Sequence, residues 1–225
     1  MEKLKIIYRD TSIIGAHKPS GIATYQESRN QNALGLKELL EEQLSERLFP
    51  VHRIDADTSG LVLFALNSRA AAGMIRLFKE QQVDKYYMAW CVGEVPKEGS
   101  VTKGLKKNKS EQVESARTDY ERVKLMRVKD QTAPGVSVKG IVANQGKVFS
   151  LVHLFPFTGR FHQIRRHFEM IGHPLVGDPL YGRAEDWTSF FPVGDQPRLM
   201  LLAESVEFVH PITHRPIRIK TKVDF

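Results

Sequence analysis

Residues 52–60 end in Thr-Ser-Gly and run directly into an apolar stretch at residues 61–66. A continuous apolar stretch of this length is typical of a strand buried on both faces, and hydroxyl residues followed by glycine are typical of a turn. The chain must therefore bury this strand in its core and leave the preceding turn at the edge. Asp55 and Arg53 lie at that edge. A carboxylate held there by a rigid element is a candidate catalytic group.

The same segment is similar to the opening of an EF-hand calcium loop, with oxygen-bearing side chains at Asp55, Asp57 and Ser59 and glycine at the sixth position. The twelfth position of such a loop needs a bidentate glutamate, and here it is Leu66. Calcium is therefore rejected. The residues from Asp57 onward suffice to make a turn. A turn does not require the charge at Asp55, which is left to be explained.

Length, composition and charge limit the function classes. At 225 residues and 41% hydrophobic content, one globular domain is the default. The lone Cys91 excludes an internal disulfide, and the N-terminus lacks the pattern of an export signal, so a cytoplasmic protein is predicted. No apolar run approaches the roughly 18 residues of a spanning helix, and no membrane partner is expected.

The formal net charge of +7 favours a polyanionic partner. Two basic clusters stand out. The first predicts a mobile loop at residues 97–109 and contains five lysines: Lys97, Lys103, Lys106, Lys107 and Lys109. The second combines arginines with histidines: Arg160, Arg165, Arg166, His162, His167 and His173. Phosphate contacts by these side chains would give salt-sensitive affinity for nucleic acid. The histidine spacing misses the usual helical ligand pair, and no metal site is predicted.

The coarse pattern is rich in strands and turns and poor in helices. Helices are predicted at residues 34–48, from a Ser68 cap to about residue 82, and after Thr158, where Phe161, Ile164, Phe168 and Ile171 form an apolar stripe. Strands are predicted at residues 4–8, 12–18, 84–95, 116–125, 147–155, 199–208 and 217–222, and irregular excursions at 126–146 and 183–197. Alternation along residues 84–95 puts Lys85 and Tyr87 on one face and Tyr86 on the other.

Three ordered blocks resemble the RluA-type pseudouridine synthase family. The first is His52-Arg53-Ile54-Asp55 followed by two variable residues and Thr-Ser-Gly, with Ile54 where the family has Leu. The second is Lys85-Tyr86-Tyr87-x-Ala89 with Gly93. The third is Thr158-Gly159-Arg160-Phe161-His162-Gln163-Ile164-Arg165, with His167, Gly172-His173-Pro174, Gly177-Asp178 and Tyr181-Gly182. Lys18-Pro19-Ser20-Gly21 resembles the family's usual opening, so the likeness covers nearly the whole chain.

The resemblance implies an α+β fold of the pseudouridine-synthase type, with a mixed, mostly antiparallel central sheet, flanking helices and an RNA-binding cleft. Residues 1–225 would form one catalytic domain without an appended N-terminal RNA-binding domain. The implied enzyme is a cofactor-free isomerase that converts a specific uridine of a tRNA or rRNA stem-loop to pseudouridine after flipping it out of the stack. The implied partner is structured RNA, and the protein would act as a monomer.

The resemblance also assigns roles to residues. Asp55 would act as nucleophile at ribose carbon 1′ or as base at the 2′ position, and both roles need the ionised form. Arg165 would pair with Asp55, Tyr87 would stack on the base and help to remove a proton, and Arg53 would replace the extruded base. Ile164 would line the pocket. The implied RNA contacts are Lys85, Arg160 and His162, whereas His52, Asp57 and Asp178 are interpreted as scaffold.

Taken alone, several of these residues have plainer interpretations. An arginine is mostly exposed, and Tyr87 could be an ordinary half-buried strand residue. Phe161 replaces the threonine that the family often has, and Arg166 stands where many members have valine. Neither departure removes a catalytic group, and both could bear on the substrate.

Two other functions stay open at the level of sequence. One is a carboxylate-pair glycosidase that uses Asp55 and Asp57, which explains neither the basic surface nor Tyr87. The other is an RNA-binding protein that keeps the fold without the chemistry, although the three catalytic-type positions are intact.

Overall fold

A computed structural model describes residues 3–26, 34–107, 111–128, 147–192 and 195–223 of the chain. The strands are β1 Ile6–Arg9, β2 Ile13–Lys18, β3 Phe49–Pro50, β4 Ser59–Ala65, β5 Asp84–Val92, β6 Glu98–Val101, β7 Leu105–Lys106, β8 Val113–Glu114, β9 Thr118–Arg127, β10 Val148–Pro156, β11 Leu201–Val209 and β12 Pro216–Lys220. The helices are α1 Leu36–Leu44, α2 Ser68–Lys79, α3 Gln163–Met170 and α4 Ala184–Trp187, with a 3₁₀ turn at Thr188–Phe190.

Within these ranges one ten-stranded sheet organises the chain. Its main order is β1-β2-β4-β11-β5-β10-β9-β6, with β3 paired to β4 and β12 paired to β11, and β7 and β8 form a separate hairpin. The pairing of β4 with β11 is parallel, and the other strand pairings of the described residues are antiparallel. The predicted mixed, mostly antiparallel sheet with flanking helices is confirmed.

Strand β4 is buried along its whole length, as its continuous apolar sequence predicts. Leu61 and Leu63 face a core that contains Met74 of helix α2, whereas Val62 and Phe64 face a second core that contains both buried leucines of α1. Burial on both faces explains why no polar residue alternates along this strand. It also gives the preceding turn a rigid base.

Gly60 joins that turn to the sheet. Its φ is +115°, and it lies opposite Ala203 in the parallel pairing with β11. A Cβ at this position would lie 2.3 Å from the carbonyl oxygen of Ala203, closer than a carbon can approach. Only glycine fits here, so the turn that carries Asp55 is fixed against β11.

The predicted strands are present with shifted ends, and β5 stops at Val92 rather than at residue 95. Helix α1 is shorter than predicted, and Leu34 is exposed ahead of it. Helix α2 is capped by Asn67, whose side chain accepts the Ala70 N–H at 2.9 Å, and not by Ser68. It ends at Lys79 because the chain turns into a left-handed residue at Gln81.

Helix α3 begins only at Gln163, after His162 in the left-handed conformation. Ile164 and Phe168 are buried as expected, but Phe161 precedes the helix and is 49% exposed, so its place in the apolar stripe was predicted wrongly. The cause is the left-handed His162, which breaks the helical spacing ahead of Gln163.

Part of the predicted lysine loop is ordered structure. Residues 98–101 pair with β9, and residues 105–106 pair with 113–114. Of the two predicted excursions, residues 129–146 lie outside the described residues, and residues 126–127 still belong to β9. The excursion at 183–197 is not wholly irregular, because Trp187, Phe190 and Phe191 pack with Trp90 and Phe149 in an aromatic cluster.

None of the helices in the described ranges is both long enough and apolar enough to cross a membrane.

Candidate active site

A cleft of about 890 Å³ opens where the turn before β4 meets the start of α3. Its walls come from the turn and the end of α2, from β5, and from the segment between β10 and α3. The residues that line it are Val51, His52, Arg53, Ile54, Asp55, Thr58, Phe78, Lys79, Gln81, Lys85, Tyr87, Pro156, Phe157, Thr158, Gly159, Arg160, Phe161, His162, Gln163, Ile164, Arg165 and Leu201. All eight site residues predicted from the sequence are among them.

Asp55 lies in the wall of this cleft with 28% of its side chain exposed. The N–H of Thr58 donates to the Asp55 carbonyl at 3.1 Å and closes the turn. One carboxylate oxygen lies 3.8 Å from Nη1 of Arg165, and the other lies 3.8 Å from Nε2 of His162. Both distances exceed a hydrogen bond. The carboxylate therefore has cationic and polar neighbours but keeps its lone pairs available.

Lys18 holds the other side of the same turn. Its ammonium group is fully buried and donates to the carbonyl oxygens of Pro19, Ile22 and Ala56 at 2.9, 2.7 and 2.6 Å. Burial lowers the pKa of Lys18 to about 8, although the nearby negative charges of Asp57 and Asp55 favour the charged form. The family-like opening of the chain thus contributes a tether for the Asp55 turn.

Arg165 is 1% exposed and makes its hydrogen bonds to Asp178, which is fully buried. The guanidinium donates through Nε and Nη2 to the two carboxylate oxygens, both at 2.8 Å. Asp55 and Asp57 lie farther away, at 3.8 and 3.9 Å from Nη1. The sequence interpretation gave Asp178 only a scaffold role. The structure adds a second role, because Asp178 is the bidentate partner of Arg165.

The segment after α3 shapes this ion pair. Gly177 has a φ of +73°, and a Cβ there would lie 1.9 Å from the carbonyl oxygen of Arg198. Asp178 also accepts the N–H groups of Leu180 and Tyr181 at 2.9 and 3.1 Å. It therefore forms the expected turn as well as the ion pair. Burying a guanidinium charge is costly unless its carboxylate partner forms further hydrogen bonds, as Asp178 does here.

Tyr181 is a site residue that sequence reasoning missed. The Arg165 guanidinium lies 5.3 Å from the centre of its ring, and its hydroxyl lies 3.1 Å from Nδ1 of His162. The matched Tyr-Gly block at 181–182 was a signal for it, but no role followed from the block alone.

The charged state of the cluster follows from its surroundings. Burial alone would lower the pKa of Arg165, but its hydrogen bonds to Asp178 and the charges of Asp178, Asp55 and Asp57 raise it, so the guanidinium stays charged. Burial lowers the pKa of His162, and the charge of Asp55 opposes this shift. His162 is therefore neutral at neutral pH.

Strand β5 presents Lys85 and Tyr87 to the cleft. Burial raises the pKa of the Tyr87 phenol, and the charge of Asp55 raises it further, so this hydroxyl keeps its proton. Nζ of Lys85 donates to the Thr158 carbonyl at 3.1 Å, and burial lowers the pKa of Lys85 to about 8. Tyr86 points to the other face, where its ring meets Phe155 edge-on.

The remaining predicted residues line the same walls. Arg53 is exposed, with its guanidinium 5.5 Å from the centre of the Tyr25 ring. Ile164 is 7% exposed and supplies an apolar wall. Arg160 donates to the Ser115 carbonyl at 3.2 Å and lies 3.3 Å from Glu114, at the hairpin of β7 and β8.

His52 is bound to the sheet, as its scaffold interpretation requires. Its Nε2 accepts the Leu63 N–H at 2.9 Å, and its ring stacks on Phe78 with centroids 4.5 Å apart. Burial, with a smaller contribution from the charge of Lys85, lowers the pKa of His52 to about 3, so the ring is neutral.

The second basic cluster is not a phosphate surface as a whole. Arg165 and His167 are buried, and His167 is bound to Thr118 and to the Lys103 carbonyl at 2.9 and 3.0 Å. Arg160 and Arg166 remain partly exposed beside the cleft. In the described ranges no three His, Cys, Asp or Glu side chains form a group that could hold a metal ion.

Asp55, Tyr87 and the buried Arg165 lie together in one cleft of a mixed sheet, as the family resemblance implies. The model of the RNA pseudouridylate synthase family matches residues 12–170. The chain therefore belongs to that family, and its resemblance to the RluA-type enzymes is confirmed. The isomerisation of uridine to pseudouridine in RNA is the activity that this membership supports.

Curated relatives extend the match to nearly the whole chain. A tRNA pseudouridine synthase C of Pasteurella multocida is 33% identical over 98% of this chain and 92% of its own. The protein of the same name from Haemophilus ducreyi is 32% identical over 99% and 92%. Among solved structures, human RNA Pseudouridylate Synthase Domain Containing 1 matches with a TM-score of 0.75 and 24% identity, over 99% of this chain and 84% of its own. That likeness supports the fold.

Proposed function

We propose that this protein converts a uridine of transfer RNA to pseudouridine and that Asp55 is its catalytic carboxylate. The observation that carries the proposal is the partly exposed Asp55 carboxylate in the cleft, with Arg165 and His162 each 3.8 Å from one of its oxygens. The substrate class is inferred from the relatives named tRNA pseudouridine synthase C. An rRNA stem-loop is the alternative outcome of the test below.

The reaction breaks the bond between ribose carbon 1′ and the base nitrogen, turns the uracil within the cleft and joins carbon 1′ to carbon 5. The proton on carbon 5 is lost and the nitrogen gains one, so no oxidant or reductant is needed. Asp55 acts at carbon 1′ as a nucleophile or at the 2′ position as a base. Either role needs an ionised carboxylate with unoccupied lone pairs, which the 3.8 Å spacing to Arg165 leaves available.

The target base must leave its stack before Asp55 can reach the sugar. Arg53 is exposed two residues before Asp55 in the cleft wall, so we assign it the position that the extruded base vacates. Tyr87 provides a protonated phenol and a ring on which the uracil stacks, and Ile164 provides an apolar wall. Lys85, Arg160 and His162 are assigned to RNA binding.

The catalytic residues of this proposal come from one chain, and we propose a monomer in which residues 1–225 act as one catalytic domain in the cytoplasm. The single domain is supported because β1 and β2 near the N-terminus and β11 and β12 near the C-terminus belong to the same sheet as β5, which carries Tyr87. Activity per chain that does not change with protein concentration would agree with this assembly.

The carboxylate-pair glycosidase has no support in the geometry. Asp57 is not among the residues that line the cleft, and both carboxylates lie within 4 Å of the same Arg165 nitrogen. They therefore lie on one side of the site, whereas a glycosidase needs carboxylates that flank the bond.

The test uses bulk RNA from cells that lack the protein, incubated with purified protein and followed by mapping of pseudouridine. We expect product at a defined uridine of tRNA, loss of product with Asp55→Asn, and retention of RNA binding by that variant. Asp57→Asn is the matched control, because it removes an equal charge from the same turn outside the cleft and should keep most of the product. Product formation by Asp55→Asn at the wild-type rate would refute the assignment.

A further inference from the structure

Two phenylalanine rings line the cleft and are half exposed, Phe157 at 50% and Phe161 at 49%. An exposed aromatic face at a cleft that binds nucleic acid is a surface on which a base can stack. The two rings differ in their surroundings. The guanidinium of Arg117 covers Phe157, at 4.6 Å from the ring centre, whereas Phe161 stacks on the ring of His162.

The Phe161–His162 pair is held in a fixed orientation. Its ring centroids are 3.7 Å apart and its planes are inclined by 20°. His162 has a φ of 50°, a left-handed conformation that costs a non-glycine residue energy and persists only where its surroundings impose it. The Tyr181 hydroxyl holds His162 from the other side, and the Phe161 carbonyl lies 3.4 Å from Nη1 of Arg166. One face of Phe161 is therefore covered, and the ring still offers half of its surface.

The position of the Phe161–His162 pair relative to Asp55 indicates which part of an RNA would contact it. Nε2 of His162 lies 3.8 Å from Asp55, so Phe161 is separated from the catalytic carboxylate by one ring. When a uridine leaves its stack to reach Asp55, the bases next to it lose a stacking partner. Such a base, carried by the same strand, would arrive beside Phe161.

Charge distinguishes a nucleobase from an apolar protein partner. Phe161 follows the partly exposed Arg160 in the chain, and the partly exposed Arg166 donates to the Phe161 carbonyl at 3.4 Å and to the Lys106 carbonyl of the neighbouring hairpin at 3.1 Å. An exposed aromatic ring with an arginine bound to its own backbone fits a base with its phosphates, because every base has a stacking face and each phosphate carries negative charge.

We propose that the Phe161–His162 pair is a stacking platform for an unpaired nucleobase that flanks the target uridine, and that it favours RNA substrates in which this neighbour is free to stack. The inference rests on the proposed function and deepens it, because it assigns a substrate determinant to a position where the family often has threonine. Phe161 binds the neighbouring nucleotide and takes no part in bond breaking.

The test compares Phe161→Leu, which keeps an apolar side chain without a ring face, with Phe161→Trp, which enlarges the ring. The probe is an RNA stem-loop that carries the mapped uridine, either intact or with an abasic site at one of the two flanking positions. For intact RNA we expect Phe161→Leu to raise the Kd by roughly 5- to 100-fold, which corresponds to the loss of one base–aromatic stack. Phe161→Trp should keep the wild-type Kd. Single-turnover rates at saturating RNA should change little.

The abasic RNA supplies the decisive comparison. With the flanking base absent at the stacking position, wild-type protein and Phe161→Leu should bind equally. Ile75→Ala is the matched surface control, because Ile75 is 48% exposed outside the cleft lining, and it should bind intact RNA like the wild type. Equal binding of intact RNA by Phe161→Leu and wild type, or a loss that persists with both abasic RNAs, would overturn the platform. Failure of the proposed function is a separate result, since the wild type would then form no pseudouridine in any RNA.

Discussion

The ion pair between Arg165 and Asp178 allows a quantitative prediction for the variant Asp178→Asn. Both side chains are at most 1% exposed, so solvent does not screen the pair. The carboxylate accepts two guanidinium hydrogen bonds and two backbone N–H groups. An asparagine offers one oxygen, and its amide N–H groups would face other donors.

The expected loss of stability follows from these contacts. Removing one partner of a buried ion pair typically costs about 3–5 kcal/mol, because the other charge remains buried without compensation. Asp55 and Asp57 cannot replace the lost bonds without movement, since they lie 3.8 and 3.9 Å from Nη1. We therefore expect Asp178→Asn to lower the free energy of unfolding by about 3–5 kcal/mol. Activity should also fall, because the guanidinium would no longer be fixed at its present distance from Asp55.

Urea denaturation measures this effect, with the fluorescence of the two tryptophans as the signal. The matched variant Asp57→Asn removes a charge that is 44% exposed and farther from Arg165, and its loss should stay below about 1 kcal/mol. The double variant Arg165→Met with Asp178→Asn should recover part of the stability without recovering activity, because no buried charge is left unpaired and the asparagine oxygen still accepts the Leu180 and Tyr181 N–H groups. A loss below about 1 kcal/mol for Asp178→Asn, at an unchanged m-value, would show that the pair is not the buried anchor described here.

Three further outcomes follow from the site and the turn beneath it. Burial lowers the pKa of Lys85 from 10.5 to about 8, so RNA affinity should fall as pH rises through 8 in the wild type but not in Lys85→Arg. Without RNA, the unfolded chain binds the Lys85 proton more tightly than the folded protein does, so the free energy of unfolding should be reduced below pH 8 and should rise between pH 8 and 10.5. Urea denaturation measures this rise, which should be absent in Lys85→Met. Gly60→Ala should lose more than about 2 kcal/mol in urea denaturation, because its Cβ would meet Ala203, whereas Gly21→Ala, also at positive φ but in open space, should lose less. Arg53→Ala should reduce the single-turnover rate more than RNA affinity, and equal losses of both would contradict base replacement.

The sequence predicts the fold well where a pattern has a single physical explanation. The apolar run after the Asp55 turn is short, follows a glycine and has no polar alternation, which is typical of a strand buried on both faces, as β4 is. The alternation of Lys85, Tyr86 and Tyr87 likewise determines which side chains face the cleft. The Thr-Ser-Gly sequence predicted a turn, and Gly60 ends that turn with a positive φ.

Long-range geometry could not be predicted in the same way. The bond from Arg165 to Asp178 depends on how the chain returns after α3, and the close approach of Gly177 to Arg198 has no local signal. The exposure of Phe161 depends on a left-handed His162, which spacing alone does not reveal. Family resemblance identified the blocks that contain these residues but not the contacts between them.

The asymmetry between the three carboxylates around Arg165 explains how a buried charge can serve catalysis. Asp178 satisfies the guanidinium with two bonds of 2.8 Å, and this leaves no need for a close contact with Asp55. A tight Asp55–Arg165 pair would occupy the oxygens that, in the proposed reaction, must reach the ribose. At 3.8 Å the positive charge still acts on Asp55, and its lone pairs are unoccupied by Arg165. Under the proposed function, Asp178 would therefore contribute by holding the guanidinium at a distance from Asp55 at which it attracts the carboxylate without binding it.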